Sequence, residues 1–161
     1  MVGVRVGLLS LFAALCLCGA TMARAADPCT FANPEEARAM AERAADHLEA
    51  VGPDRAFRAF MDPNGEFIDR DLYVFVIDFH GILIASGGFP DSIGAVVANA
   101  RDRNGRPFIR EMLRLAQEQE QGWVEYDMVH PCTGEMTPKI SFVKRVGPVI
   151  IGVGAFGTIG A

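Results

Sequence analysis

The stretch KISFVKRV, residues 139–146, carries the residues whose types and spacing are best suited to binding an anion. It predicts a strand, and alternate side chains of a strand share a face, which puts Lys139 beside Ser141. A lysine that opens a strand between apolar stretches can pair with an anionic ligand. It can also be an edge lysine, whose stem covers apolar surface and whose charge prevents edge-to-edge pairing. Taken alone, the pattern favours the edge lysine.

Acid–base chemistry would depend on Asp78, His80 or His130, which lie in or beside predicted turns. The third histidine, His47, falls on the polar face of a predicted helix and is expected to be exposed. The histidines lack the i, i+4 spacing of a helical metal site, and the chain has no nucleophile elbow and no HExxH motif. Asp78 beside His80 could form an acid–base pair, but an aspartate there more often bonds its own turn. The sequence therefore predicts no metal site and no enzyme, and an enzyme built on these residues is the weakest alternative.

Gly152, Gly154 and Gly157 have the GxGxxG spacing of a dinucleotide-binding loop. Such a loop lies between a strand and a helix whose N-terminus holds the phosphates. Only residues 158–161 follow Gly157 in this sequence, so no helix is expected there. We therefore predict no nucleotide cofactor, and no other cofactor is indicated. The first two glycines are expected to leave room on one face of a strand for a neighbouring element or a ligand.

The elements that must position these residues follow from apolar periodicity and turn signals. Asn33-Pro34-Glu35-Glu36 predicts a helix start, with an N-cap, a proline in the first turn and acids near the positive end of the helix dipole. Gly52-Pro53 ends that helix and a second short helix follows. A third helix is predicted from Pro107 to Gln119. Strands are predicted at residues 72–79, 82–86, 123–129, 139–146 and 149–156.

Hairpins link the last three predicted strands, so the sheet is expected to be antiparallel. Apolar residues occupy both faces of the strand at 72–79, so both faces are expected to be covered. Residues 93–100 are expected to add a short helical piece. The chain is therefore predicted to be α+β, with its helices on one side of the sheet.

The N-terminus has the layout of a secretory signal: an arginine, an apolar run and the A-x-A pattern Ala23-Arg24-Ala25. We predict a cleaved signal peptide at 1–25, a mature domain at 26–161 and no transmembrane span after cleavage. The protein is then periplasmic or secreted. Lipidation at Cys16 or Cys18 is disfavoured because a leucine, not a small residue, precedes each. The net charge of −5 argues against a nucleic-acid partner, since phosphate binding requires many cations.

Two cysteines, Cys29 and Cys132, remain in the predicted mature chain. Export would place them in an oxidising compartment, where an even number permits a bridge. Two separate thiols are the alternative, and the sequence leaves both open.

Five stretches, in order, resemble the single Cache domain of bacterial chemoreceptor and sensor-kinase ectodomains and of free-standing exported proteins. They are DLYVFVIDFHGILIAS, RNGRPFIREM, GWVEYDMVHP, PKISFVKRVG and VIIGVGAF. The resemblance covers about residues 34–157. It implies a PAS-like antiparallel sheet of about five strands, with a long N-terminal helix and connecting helices. It also implies a small-molecule pocket outside the cytoplasm, often for small carboxylates.

The resemblance implies ligand-binding positions on the strands and on the loop after the second strand. These are Tyr73, Phe75, Ser86, Trp123, Tyr126, Met128, Lys139 and Ser141. The sequence departs from the family pattern at Ser86, Met128 and Phe142, where the family often has histidine, tryptophan and tyrosine. These departures remove three groups that could hold a polar ligand.

The first functional hypothesis is an exported sensory domain that binds a small organic acid or a similar metabolite. It would act with a membrane receptor or kinase in signal transduction related to chemotaxis, because no transmission segment is expected after the domain. The alternative is a protein–protein interaction module of the cell envelope with a vestigial pocket.

Overall fold

The computed structural model describes residues 31–130 and 132–157. The predicted signal peptide, with Cys16 and Cys18, lies outside the described residues, and so does Cys29. The elements are α1 Pro34–Val51, α2 Pro53–Phe60, β1 Ile68–Asp69, β2 Leu72–Asp78, β3 Leu83–Ser86, α3 Phe108–Gln119, β4 Gln121–Val129, β5 Met136–Val146 and β6 Val149–Phe156. A 3₁₀ turn at Pro90–Ser92 lies between β3 and α3.

The six strands form one antiparallel sheet in the order β1-β2-β6-β5-β4, and β3 also pairs with β2. The long hairpins β4–β5 and β5–β6 make up one side of the sheet. Strand β6 then inserts between β5 and β2, so the last strand of the domain lies at its centre. This order brings β2 and β5 to the two flanks of β6.

Both faces of the sheet are buried, as the apolar residues on both faces of β2 predicted. Leu72, Val74 and Val76 belong to the cluster beneath α1 and α2. Phe75 and Ile77 belong to a second cluster with α3. The prediction that the helices lie on one side of the sheet is therefore wrong. Two apolar faces both require a cover, and α3 covers the second.

Helix α1 begins where the sequence predicted and has a complete capping box. The Asn33 side chain accepts a hydrogen bond from the backbone N–H of Glu36, and the Glu36 carboxylate accepts one from the backbone N–H of Asn33. These two bonds satisfy backbone donors that the first helical turn leaves free. Arg70, just before β2, donates to Glu36 at 2.8 Å and so ties the helix start to the sheet.

The connection between β3 and α3 is mostly irregular, where a helical piece was expected at residues 93–100. Ile82 forms an isolated bridge with Val96, and the Val97 N–H bonds the Gly81 carbonyl. Gly81 has a φ of 81°, and a Cβ there would lie 2.3 Å from the Cβ of Ala98. The hairpin turn therefore needs glycine, because the returning segment lies directly against it.

Cys132 is disulfide-bonded. The sequence leaves a pairing with Cys29 open, and it stays open here because Cys29 lies outside the described residues. Within the part of the chain that the structure describes, no helix is long and apolar enough to cross a bilayer.

Candidate functional site

A cavity of about 280 Å³ lies between the second sheet face, α3 and the segment of residues 87–100. Strands contribute one wall and the helix the other. The lining residues are Tyr73, Phe75, Ile77, Leu83, Ser86, Phe89, Ser92, Val97, Ala100, Phe108, Ile109, Met112, Tyr126 and Met128. The lining is mostly apolar, and its polar groups are four hydroxyls, as is usual in sites for small molecules.

Lys139 on β5 reaches across β6 to the edge of this cavity. Its Nζ donates a hydrogen bond to the Tyr73 hydroxyl on β2 at 3.1 Å. The same ammonium lies 4.5 Å from the centre of the Tyr73 ring and 4.6 Å from that of Phe156. Both rings present their negative faces to the cation. The lysine therefore contacts the cavity through Tyr73 and does not itself line it.

The charge of Lys139 is buried without a matching carboxylate. The residue is 1% exposed. Among the described residues no acid lies within 4.0 Å of its Nζ, and Asp71 acts on it only through its more distant charge. Burial lowers the pKa of Lys139 to about 8, against a smaller opposing effect of Asp71. A buried cation without a carboxylate partner is costly, and an anion beside Tyr73 would relieve part of that cost.

The Tyr73 hydroxyl can act as a hydrogen-bond donor in the cavity that is polarised by the charge of Lys139. An ammonium can only donate, so the Tyr73 oxygen accepts from Lys139 and its own hydrogen remains free to donate. Burial, with the charges of Tyr126 and Asp71, raises the pKa of Tyr73 and keeps the phenol protonated. A donor polarised by a neighbouring cation is a strong partner for an anion.

Tyr126 provides a second hydroxyl, from the β4 side of the cavity. It shares a 3.0 Å hydrogen bond with the Ser141 hydroxyl, in which either oxygen can be the donor. Its ring stacks on Phe108 with an interplanar angle of 3°. Burial raises the pKa of Tyr126 to about 12, although the bond with Ser141 acts in the opposite direction. The stacking fixes the position of this ring between the sheet and α3.

The glycines of β6 allow these side chains to cross the centre of the sheet. A Cβ at Gly154 would lie 2.3 Å from the Ser141 Oγ and 2.7 Å from the Lys139 Cε. A Cβ at Gly152 would lie 2.1 Å from the Phe75 ring. Gly152 pairs with β2 and β5 and Gly154 pairs with β5, so both lie within the sheet and form no phosphate-binding loop. Their role is steric, as the sequence suggested, and neighbouring side chains fill the space.

The family model described as single Cache domain 2 matches residues 34–157. The chain belongs to this family. Cache domains are sensory, ligand-binding modules that lie outside the cytoplasm. The family match agrees with the fold that the five sequence stretches implied, including the antiparallel sheet and the long N-terminal helix.

Solved structures support the same assignment. A periplasmic sensor domain of a chemotaxis protein is 25% identical, with a TM-score of 0.65 over 78% of this chain and 95% of that one. A Cache chemosensory domain solved for carboxylic acid recognition is 21% identical, with a TM-score of 0.64 over 77% and 92%. A methyl-accepting chemotaxis protein from Vibrio parahaemolyticus RIMD 2210633 is 17% identical, with a TM-score of 0.66 over 76% and 86%. The last two show the fold alone.

The structure brings most of the predicted ligand-binding positions of the Cache domain together. Five of them line the cavity: Tyr73, Phe75, Ser86, Tyr126 and Met128. Lys139 and Ser141 lie directly behind, each hydrogen-bonded to one of the two tyrosines. Trp123 is on the opposite face, where its ring packs edge-on against Phe142 at 5.1 Å. The alternation of β4 puts Tyr126 on the cavity side and therefore Trp123 on the other.

The sequence interpretation missed the wall opposite the sheet. Phe108, Ile109 and Met112 come from the first turns of α3, and Phe89, Val97 and Ala100 come from the preceding segment. The apolar face of α3 is visible in the sequence as periodicity, with Phe108 and Met112 on it. Periodicity shows that a helix face is buried and does not show whether a cavity remains beneath it.

The candidate acid–base residues of the Cache domain have turn roles. Asp78 accepts hydrogen bonds from the backbone N–H groups of His80 and Ile82, both at 2.9 Å. The His130 Nδ1 accepts from the backbone of Cys132 and Thr133, both at 3.2 Å. These residues do not line the cavity.

His47, expected to be exposed, is half-buried against the rings of Phe60 and Phe67. Across residues 31–130 and 132–157, no group of three His, Cys, Asp or Glu residues could hold a metal ion.

Proposed function

We propose that this Cache domain is an exported sensory domain that binds a small organic anion in the cavity beside Tyr73. The Tyr73 hydroxyl donates to the anion, and Lys139 holds and polarises that hydroxyl. The observation that carries the proposal is the ammonium of Lys139, which is 1% exposed and has no carboxylate among the described residues within ion-pairing distance. A bound anion would supply the missing negative charge.

The same arrangement disfavours an amine as the ligand. Aromatic rings line the cavity, and such rings bind ammonium groups elsewhere. Here the ammonium of Lys139 already lies over Tyr73 at 4.5 Å, so a second cation would meet its repulsion in a site of low polarity. The carboxylic acid recognition reported for a related Cache chemosensory domain points to the same ligand class.

The proposed cellular role is that of a periplasmic sensor linked to chemotaxis-type signalling, by analogy with the similar sensor domain of a chemotaxis protein. The signal peptide at 1–25 would export the chain, and a membrane receptor or kinase would be the partner. Sequencing the N-terminus of protein recovered from the periplasm tests the export step. We expect it to begin at Ala26, and recovery of the uncleaved chain from the cytoplasm would contradict export.

Ligand binding is tested by thermal unfolding and calorimetry with a panel of monocarboxylates and the matching primary amines. The acids are expected to raise the melting temperature, because a ligand of the folded state stabilises it, and the amines are not. The proposal fails if none of the acids binds at millimolar concentration.

The role of Lys139 and Tyr73 is tested by Lys139→Met and Tyr73→Phe. Each is expected to weaken acid binding roughly 10- to 100-fold, which corresponds to the loss of a charge-assisted hydrogen bond of about 1.5–3 kcal/mol. Lys144→Met is the matched control, since Lys144 is the other lysine of the chain. It is an odd number of residues from Lys139 on β5 and therefore lies on the opposite face of the strand. Equal affinity in all three variants would place the anion elsewhere.

A second function, protein–protein interaction, is favoured by exposed apolar side chains near the cavity. Phe89 is 47% exposed, Ile93 40% and Val96 62%, all on one segment. Cross-linking in the envelope with and without Val96→Ser would test this role. A partner that is lost in the variant, together with no acid binding by the unmodified domain, would favour this second function.

A further inference from the structure

We infer that the natural occupant of the cavity is a monocarboxylate whose hydrocarbon tail is longer than that of acetate or propionate. This inference rests on the proposed function, since it takes Tyr73 as the contact of the carboxylate. It adds the chain length, which the apolar part of the cavity decides.

The volume of the cavity exceeds the needs of a two- or three-carbon acid. The cavity of about 280 Å³ is close to the ~300 Å³ at which sites for drug-sized ligands begin. A shorter acid would leave apolar wall uncovered and forgo the stabilisation from its burial.

The shape of the cavity is also suited to a chain. Tyr73, Phe75 and Ile77 are alternate residues of β2 and all line it. Four residue steps of a strand extend about 13 Å, at ~3.3 Å each. Leu83 on β3 lies opposite Ile77 and continues the apolar wall there. A carboxylate at Tyr73 would therefore have apolar surface along the strand for its tail.

The described residues of the lining offer no charged partner for a ligand with a second charge. No Asp, Glu, Lys, Arg or His lines the cavity. The Ser86 hydroxyl already accepts from the Phe89 N–H at 3.0 Å, and Tyr126 is bonded to Ser141. The second charge of a dicarboxylate or an amino acid would be buried without a partner. A single carboxylate with a hydrocarbon tail leaves no such charge.

The proposed entry side is apolar as well. Phe89 lines the cavity, is 47% exposed and packs edge-on against Tyr73 with ring centres 5.7 Å apart. Phe89 is exposed to solvent on one side and contacts the Tyr73 ring on the other. An amphiphilic acid entering here would therefore contact the Phe89 ring before it reaches the Tyr73 hydroxyl.

The test is calorimetry of the purified chain with acetate, propionate, butyrate, hexanoate and octanoate. Affinity is expected to rise about fourfold per methylene up to hexanoate or octanoate, which corresponds to ~0.8 kcal/mol per buried CH₂. Hexylamine and adipate, with the same number of carbons as hexanoate, are expected to bind at least tenfold more weakly. If acetate or propionate binds as tightly as hexanoate, the inference is overturned and the proposed function stands. If no acid binds, the proposed function itself fails.

A cavity-filling variant provides the second measurement. Ala100→Leu adds bulk to the wall and is expected to weaken hexanoate and octanoate at least tenfold while propionate changes less than twofold. Ala39→Leu, the same change at an exposed position of α1, is the control. An Ala100→Leu protein that melts normally and still binds octanoate as tightly as before would overturn the inference.

Discussion

Lys139 is the residue that most clearly separates this domain from a purely structural one. Its ammonium is compensated by one hydroxyl and two aromatic faces, and by no carboxylate within 4.0 Å in the described residues. An edge lysine would extend its stem along the surface and keep its charge in water. Lys139 is instead 1% exposed, so the edge interpretation does not hold.

The buried charge predicts how stability depends on pH. In the unfolded chain the pKa of Lys139 returns to about 10.5, whereas in the folded domain it is about 8. Between these values the unfolded state binds more protons, so the free energy of unfolding rises with pH. Relative to Lys139→Met, the domain should gain roughly 2 kcal/mol between pH 7 and pH 9.5, from 1.36 kcal/mol per pKa unit.

Urea unfolding at both pH values measures this change. The comparison with the variant cancels the ionisation of Tyr73 and Tyr126, whose pKa values are raised and whose effect on stability has the opposite sign. A constant difference between the two proteins from pH 7 to pH 9.5 would show that Lys139 is not a charged buried group.

The Lys139 side chain crosses β6 at Gly154, and this position predicts the effect of Gly154→Ala. The added methyl group would meet the Lys139 Cε and the Ser141 Oγ, and both of these buried side chains would have to shift. We therefore expect a folded protein whose ammonium no longer reaches Tyr73, with hexanoate affinity lowered about tenfold by the loss of a charge-assisted bond. In a Lys139→Met background the same change should weaken binding less, because only the displacement of Ser141 remains. Additive losses would mean that Gly154 acts independently of the lysine.

At the scale of elements, the cavity depends on the insertion of β6 between β2 and β5. Because of this order, a lysine on β5 and a tyrosine on β2 meet across a glycine. The loop before α3 covers the edge of β4 that does not pair with β5. Arg106 donates to the Glu125 carbonyl at 2.6 Å, and the Asp102 carboxylate accepts from the Asp127 N–H at 3.4 Å. The covered edge reduces pairing with other chains.

The start of α1 permits a direct test of element stability. Asn33→Ala removes the side chain that accepts from the Glu36 N–H and should lower the free energy of unfolding by about 1 kcal/mol. Asn33→Asp keeps an acceptor at the same place and should change stability little. Chemical unfolding of the two variants measures the difference, and equal losses would show that the cap does not act through this bond.

At the scale of the whole molecule, two apolar clusters on opposite sheet faces hold the domain together. The cluster under α1 and α2 does not line this cavity, whereas the cluster under α3 surrounds it. The N-terminal segment is tied to the other end of the described chain through Asp71. Its carboxylate accepts from the backbone N–H groups of Ala32 at 2.7 Å and Phe156 at 3.4 Å.

A Cys29–Cys132 bridge would be a second link from the N-terminal segment to the rest of the domain, this time at the β4–β5 turn. Removing a native disulfide usually costs about 2–5 kcal/mol, so Cys132→Ser should lower the melting temperature of the exported protein. Thiol titration of the denatured, non-reduced protein should find neither cysteine reactive. Two reactive thiols would contradict the pairing, and peptide mapping of the unmodified protein identifies the partner of Cys132.

The sequence by itself determined the family, the α+β class and most element boundaries. These depend on local signals, namely the N-cap at Asn33, the apolar residues on both faces of β2 and the turn residues between hairpins. Through their match to the family motifs, it also named five residues that line the cavity. Local signals and motifs are properties of neighbouring residues, so they can be read along the chain.

Only the tertiary structure decided that α3 covers the second sheet face, that Trp123 points away from the cavity and that Lys139 acts through Tyr73. Each depends on contacts between residues far apart in sequence, and the Lys139–Tyr73 bond joins positions 66 residues apart. Periodicity states that a face is buried but not what buries it. The lysine acquires its role because β6 offers a glycine at the one place where its side chain must pass.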